Sequence, residues 1–454
     1  MIEQAQSFDF AGSIGIAEID ITPPIGIYNR CWGAATTYTA QWIHMPFYAT
    51  VMVVGETNPL VIIGMDSVGE FGTRAKESFF QRISATLEID ESQILICASH
   101  THSSPMLVDV DPELPGADLH ADYLIELYDK LYLLTIEAAS KRQKTLIQSN
   151  YGKCDLARNR DLLHEGSYVT GYNPSGEDDD TLFTARLTNE AQETIAVIVN
   201  YACHPTTLAW DNDQLSPDYI GSLRETIRKE LNVPMIFIQG CSGNLGPAIG
   251  FTGDLSIPER HGRQLGFASL SSLENMSLPG TTLVLDEIKK SGADLAVWKE
   301  QPSTANETVQ FHAGTIRWPI RADLLKSVAI NKLLADNPDN ADKERLNRKL
   351  RIRESIGEGD DMTLYYWVAR MGNILIIANG GEAYSKLQVS LRARYPEYTV
   401  ICANCCRTSY GYVVPEEDYE KPNLYPAWQT PLAVGIFEEL YDRCVQKIDS
   451  FIKE

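Results

Sequence analysis

Apolar runs that stop abruptly in chemically capable residues constrain this chain more than any other feature. The run Gln93–Ala98 ends in Ser99-His100-Thr101-His102, placing two of only eight histidines one residue apart. Thr194–Ala202 leads into Cys203-His204-Pro205-Thr206, and Pro234–Gln239 into Gly240-Cys241-Ser242-Gly243-Asn244. Asn373–Ala378 leads into Asn379-Gly380-Gly381-Glu382, and Thr399–Ala403 into Asn404. Short, β-branched apolar runs of this kind read as buried strands. In open α/β sheets, ligands bind beyond the carboxyl ends of the strands. If these strands are neighbours running the same way, their endings converge on one site.

Further strands are predicted over Ser13–Ile21, His44–Val54, Leu60–Met65 and Thr282–Ile288. Helices are predicted over Arg74–Leu87, Ala121–Lys141, Asp218–Glu230, Pro258–Leu273, Pro319–Asp336, Ala341–Ile356, Glu382–Tyr395 and Pro431–Lys453. The alternation implies an α/β fold with a large mixed β-sheet core flanked by helices, in one domain over residues 1–454. Residues 290–365 are more charged than their flanks and predict a helical excursion within that domain.

A net charge of −22 argues against nucleic acid or an anionic membrane as the main partner, since both require basic surface. No signal peptide and no long apolar span are visible, so a cytoplasmic protein without stable membrane association and with a small-molecule substrate is expected. The nine cysteines are odd in number and lie largely inside apolar runs, which reads as reduced thiols. Cys402, Cys405 and Cys406 have no second Cys/His pair at finger spacing and read as structural.

Taken residue by residue, several readings stay open. His100 and His102 project to the same side if the strand persists, and then serve as metal ligand and catalytic neighbour or simply as capped loop histidines. His204 alone reads equally as a buried, satisfied imidazole. Glu382 follows two glycines and is expected in the first turn of a helix, where the dipole favours its charge, as a functional carboxylate or as helix-start chemistry. Gly240-Cys241-Ser242-Gly243 resembles a nucleophile elbow, but one residue separates the first glycine from Ser242 and none precedes the second. Ser242 is therefore a poor nucleophile candidate.

Several motifs occur in order along most of the chain: IGIAEIDITPP (14–24), SHTHSSP (99–105), ARNRD (157–161), VNYACHPTTL (199–208), SPDYIG (216–221), GGEAYSKL (380–387) and YGYVVPEEDY (410–419). Together they resemble the catalytic domain of the neutral/alkaline (non-lysosomal) ceramidases, zinc-dependent amidases. The resemblance implies a Zn2+ ion held by His100, His204, Glu382 and Tyr412. It implies catalytic roles for His102, Arg160 and Tyr425 around the bound water and the scissile group. Asp66 and Asp218 are candidates to orient the histidines, with loop caps as the alternative.

The departures shape the functional expectation. The family carries Gly-Asp-Val-Ser-Pro-Asn, with a serine regarded as catalytically important, where this chain has Gly243-Asn244-Leu245-Gly246-Pro247-Ala248. Asn244 and Gly246 are thus expected to influence substrate positioning, with metal-bound water as nucleophile. The secretion signal and the C-terminal immunoglobulin-like domain of the ceramidases are not expected here. A zinc-dependent hydrolase of an amide, or a related acyl bond, in a soluble polar substrate is the leading expectation. Its alternatives are ceramide hydrolysis itself, a metal-dependent glycoside-processing hydrolase or lyase, and an inactive metal-binding protein.

Overall fold

The computed structural model describes residues 9–69, 73–304, 306–336, 340–407 and 410–453. An eight-stranded mixed sheet runs in the order Met235–Gln239, Thr194–Tyr201, Thr181–Asn189, Gln143–Lys153, Phe10–Asp20, Tyr48–Val54, Leu60–Met65, Ile94–Ala98. A four-stranded sheet runs Val309–Pro319, Asp361–Met371, Ile374–Asn379, Thr399–Ala403. The two lie face to face, with helices on both outer surfaces, so the fold is a mixed α/β architecture in four layers.

The burial of both strand faces explains the continuous apolar runs. Ile62 and Leu95 point into the core between the sheets, while Val61, Ile63, Ile94 and Ile96 pack under the helices Arg74–Leu87 and Ala117–Ser140. Strands covered on both faces lose the polar alternation of half-exposed ones. Truncating a side chain such as Ile62 to alanine removes contacts on a face with no room to collapse and costs about 2–5 kcal/mol.

Parallel pairs close both edges of the large sheet: Thr194–Tyr201 with Met235–Gln239, and Leu60–Met65 with Ile94–Ala98. In the sheet order these pairs are formally opposite in sense, because five antiparallel steps separate them. Twist of about 20–25° per strand accumulates across the sheet and turns the edges toward one another. Thr50 Oγ1 donates to the Met235 carbonyl at 3.1 Å, and a Cβ on Gly64 would lie 2.9 Å from the Phe237 carbonyl oxygen. Glycine at 64 is what lets these backbones approach.

Several sequence expectations need correction. Among the described residues, 290–365 are helical only in part: they hold Asp294–Pro302, Val309–Pro319 and the start of Asp361–Met371 as strands beside the helices Ser327–Ala335 and Asn340–Ile356. The helix expected from Pro319 starts at Ser327, because Pro319 closes a strand paired to Asp361. Gln143–Lys153 and Thr181–Asn189 were not expected as strands, since they carry polar side chains inward. Those side chains are satisfied by the helix Ser256–Glu274 and the turn after it: Thr184 Oγ1 meets Ser272 Oγ at 2.8 Å, and Gln148 Nε2 donates to the Ser277 carbonyl at 3.2 Å. No helix among the described residues is long and apolar enough to cross a membrane.

Candidate functional site

The strand endings do converge, but from two sheets instead of one. The Asn404 N–H donates to the Gln239 carbonyl at 3.0 Å, and its side-chain amide donates to the Ala383 carbonyl at 3.0 Å. Asn379 Nδ2 donates to Asn404 Oδ1 at 2.9 Å, and Asn200 Nδ2 spans both sheets through the Ile238 and Cys402 carbonyls. Buried amides thus tie the carboxyl ends into one floor.

His100, His102 and His204 stand on that floor, each offering one ring nitrogen within 4.8 Å of the others. The strand does not persist through the first pair. It ends at Ala98, and His100 has φ 69°, so strand alternation does not explain why both rings face inward. His100 Nδ1 contacts the Val68 carbonyl, and His204 Nδ1 lies 3.2 Å from the Ser242 carbonyl oxygen. Those contacts turn both Nε2 atoms toward the centre, where a ring nitrogen's second partner sets its orientation.

Asp66 and Asp218, the expected orienting carboxylates, do other work. Asp66 accepts from Arg224 Nη2 at 2.9 Å and from the Tyr48 N–H at 2.9 Å. Asp218 caps the helix Tyr219–Leu231, accepting from the Tyr219 N–H at 2.7 Å, and also accepts from the Leu208 N–H at 3.0 Å. Backbone carbonyls orient His100 and His204 instead, and the Cys31 thiol lies 3.5 Å from His102 Nδ1.

Glu382 is not in a helical first turn. It lies in the two-residue strand Glu382–Ala383, paired parallel to Tyr412–Val413 with Glu382 opposite Tyr412, and the helix begins at Lys386. The glycines before it leave this segment extended, and the pairing brings two residues thirty apart in sequence to one place. Glu382 Oε2 lies 3.4 Å from His100 Nε2 and 3.6 Å from His204 Nε2. Neither contact has hydrogen-bond geometry: the Nε2 atoms of His100, His102 and His204 and Glu382 Oε2 are all buried without a hydrogen-bond partner.

Four buried polar atoms without a partner, clustered in one place, are costly unless something else satisfies them. Two donors on a tetrahedral zinc-type ion, each about 2.0–2.1 Å away, stand about 3.3 Å apart, close to the separations of Glu382 Oε2 from the two imidazoles. The residues present therefore fit a divalent cation. Burial drives His102 and His204 well below the usual imidazole range, with positive neighbours including His100 and Arg160 adding to it, so both present lone pairs. Burial also acts against a charge on His100, but Cys405 and Glu382 outweigh it and raise that imidazole. Burial pushes Glu382 up, and His100 and Arg160 overcome this to lower it. Because an imidazole must be neutral to bind a metal, a cation held here would compete with the proton on His100.

Arg160 and Tyr412 form one wall. Arg160 Nη2 donates to the Gly243 carbonyl at 2.9 Å and to Tyr412 Oη at 3.0 Å. Burial and the Glu382 charge push the Tyr412 phenol well above its ordinary value. Tyr425 Oη accepts from Arg348 Nη1 at 2.6 Å, and its ring centre lies 5.8 Å from that of Tyr412. Gly246 also borders the site: a Cβ there would meet Arg160 Cδ at 3.5 Å and His204 Cβ at 3.9 Å. Asn244 turns away, its Oδ1 accepting from the Ser385 N–H at 2.8 Å and its carbonyl from the Arg160 N–H at 2.9 Å. Ser242 Oγ is buried and accepts from Gln239 Nε2 at 2.7 Å, with no histidine nitrogen hydrogen-bonded to it among the described residues.

Above the histidines a cavity of about 310 Å³ is lined by His102, Arg160, His204, Tyr412 and Tyr425 and by Trp32, Trp210 and Phe251, with the Trp32 ring centre 5.3 Å from that of His102. A cleft of about 110 Å³ adjoins it over His100 and Glu382, closed by Arg348 and Arg351 from the helix Asn340–Ile356. Sequence reading missed these aromatic and arginine residues. The one signal for the arginines was a basic stretch, KERLNRKLRIR, in an acidic chain.

No protein-family model and no curated protein matches this chain. Solved structures do. A neutral ceramidase from Pseudomonas aeruginosa superposes with a TM-score of 0.66 at 16% identity, covering 97% of this chain and 74% of that chain. A ceramidase complexed with C2 superposes with a TM-score of 0.67 at 15% identity, covering 96% of this chain and 74% of that one. The protein has the mixed α/β fold of the neutral ceramidases, a likeness of architecture at this level of identity.

Proposed function

We propose that the protein is a zinc-dependent hydrolase acting on an amide bond of a soluble polar substrate. The observation that carries this reading is the convergence of unpartnered, buried His100 Nε2, His204 Nε2 and Glu382 Oε2 at separations suited to one tetrahedral cation. Tyr412, paired to Glu382 in register, is the fourth ligand in this reading. A zinc ion held there supplies a Lewis acid and acidifies a water molecule.

The remaining chemistry belongs to the chain. His102 is half-buried with its Nε2 enclosed and neutral, and takes a proton at Nε2 and returns it to the leaving amine. Arg160, anchored on Gly243 and Tyr412, faces the cavity with positive charge where an oxyanion develops. Tyr425, held by Arg348, donates its hydroxyl to the same charge. Gly246 leaves open the space beside Arg160 that a serine side chain would occupy, which favours a role in substrate positioning.

Elemental analysis of the purified chain tests the core of the reading: about one zinc per chain is expected, and absence of any transition metal sinks it. Ceramide is the second reading, favoured by the ceramidases among the structural neighbours. Assay of ceramide beside short N-acyl compounds separates the two, and preference for ceramide would displace the soluble substrate.

A further inference from the structure

The helix Asn340–Ile356 places basic side chains over a site in a chain of net charge −22. Arg348 borders both the cavity and the cleft above the histidines, and Arg351 borders the cleft. Glu344 is shared by three guanidinium groups: Arg348 Nε at 3.1 Å, Arg351 Nη2 at 3.7 Å and Arg30 Nη1 at 3.8 Å. Three positive charges against one negative leave a surplus of two at this rim. Arg348 commits Nε to Glu344 and Nη1 to Tyr425, so its orientation is fixed before any ligand arrives. A guanidinium held in this way is suited to a planar anion.

The aromatic part of the lining differs in character. Trp210 and Phe251 stack at an interplanar angle of 11°, and Trp32 meets both edge-on. Its indole N–H is buried with no hydrogen-bond partner, a donor available to a polar group lying beside the rings. The cavity lining thus combines guanidinium charge, an apolar surface and the candidate metal ligands.

We infer that the substrate is an N-acylated amino acid, its carboxylate held by Arg348 and Arg351 and its acyl arm lying along Trp32, Trp210 and Phe251. This inference rests on the hydrolase reading for its chemistry: water's oxygen joins the acyl carbon, the C–N bond breaks, and the amino nitrogen takes the proton. The products are a carboxylic acid and a free amino acid.

The test compares N-hexanoylglycine with its neutral twin, N-hexanoylglycinamide, by calorimetry on the full-length protein as purified and after chelation. The acid is expected to bind about ten-fold tighter than the amide even without metal, as a charge-assisted contact requires. Arg351→Gln, which leaves the Arg348–Tyr425 contact in place, and Arg348→Gln should each erode that preference. On the metal-loaded enzyme, Arg351→Gln should raise KM for the acid with kcat retained. Equal binding, binding of neither compound, or a preference that survives both substitutions overturns the inference. The hydrolase reading fails separately: a zinc enzyme cleaving acid and amide equally keeps that reading and loses this one. Discrimination without zinc or turnover does the reverse.

Discussion

The floor and the roof of the cavity are built differently. His100, His204 and Glu382 are almost fully buried, and their neighbours are strand ends tied by backbone and amide hydrogen bonds across two sheets. Arg351 and Trp210 reach in from a helix and a loop and keep substantial exposure, 42% for the Arg351 side chain and 37% for Trp210. A buried floor holds ligand atoms within tenths of an ångström, which chemistry demands. A roof of longer, half-exposed side chains changes with little cost to the fold, and in the proposed reading it sets selectivity among substrates.

The strongest break in this comparison is His204→Ala. It should abolish bound zinc and lower kcat by about 10³-fold or more, because Lewis-acid stabilisation amounts to several kcal/mol. Retained zinc with full activity would empty the floor of its proposed role. His102→Ala should instead keep zinc and lower kcat by about 10²- to 10⁴-fold, as loss of a general base does. If zinc leaves as well, His102 is a ligand and the division of labour between the two neighbouring histidines is wrong.

Asp161, behind Arg160 and outside the site cavity, should reveal its charge burial in stability. Burial lifts Asp161 to about 6, against the pull of Arg160 and the Tyr384 hydrogen bond at 3.0 Å. An acid raised on folding contributes stability when protonated: fully below the unfolded value of 3.8, and lost as pH rises through about 6. Asp161→Asn should therefore stabilise the protein at pH 8, by up to about 3 kcal/mol, and change little at pH 4. A melting-temperature gain that is flat across this window would show that the carboxylate is not the source.

Roof substitutions should be milder. Trp210→Ala should raise KM about 3- to 10-fold with kcat nearly unchanged, since it removes one stacked aromatic contact. A fall in kcat alone would move Trp210 into the reacting geometry. The smallest effect is expected at the border between the two regions. Gly246→Ser introduces contacts of ordinary length and should shift stability by no more than about 1 kcal/mol while altering substrate preference. A misfolded variant would show the space to be less open than the contacts indicate.

The strands that carry the floor were legible because each is a run buried on both faces and each stops at a residue with a lone pair or a charge. Leu60–Met65 and Thr399–Ala403 coincide with their sequence-predicted bounds. Gln143–Lys153 and Thr181–Asn189 were illegible because Gln148 and Thr184 are satisfied by residues 129 and 88 positions away, respectively. Trp32 gave no local signal and Arg348 only a basic stretch, for a cavity-lining residue on a surface helix or loop resembles any solvated one.

By itself, the sequence determined the α/β class, the apolar strands and the chemistry-bearing residues at their ends, because periodicity and burial are local properties. Tertiary structure alone decided that two sheets supply those ends. It set Glu382 beside Tyr412 through a two-residue ladder, turned His100 and His204 with backbone carbonyls, and laid Arg348 over them. Those relations depend on strand twist and on which distant carbonyl meets which ring, and neither is written in the spacing of residues along the chain.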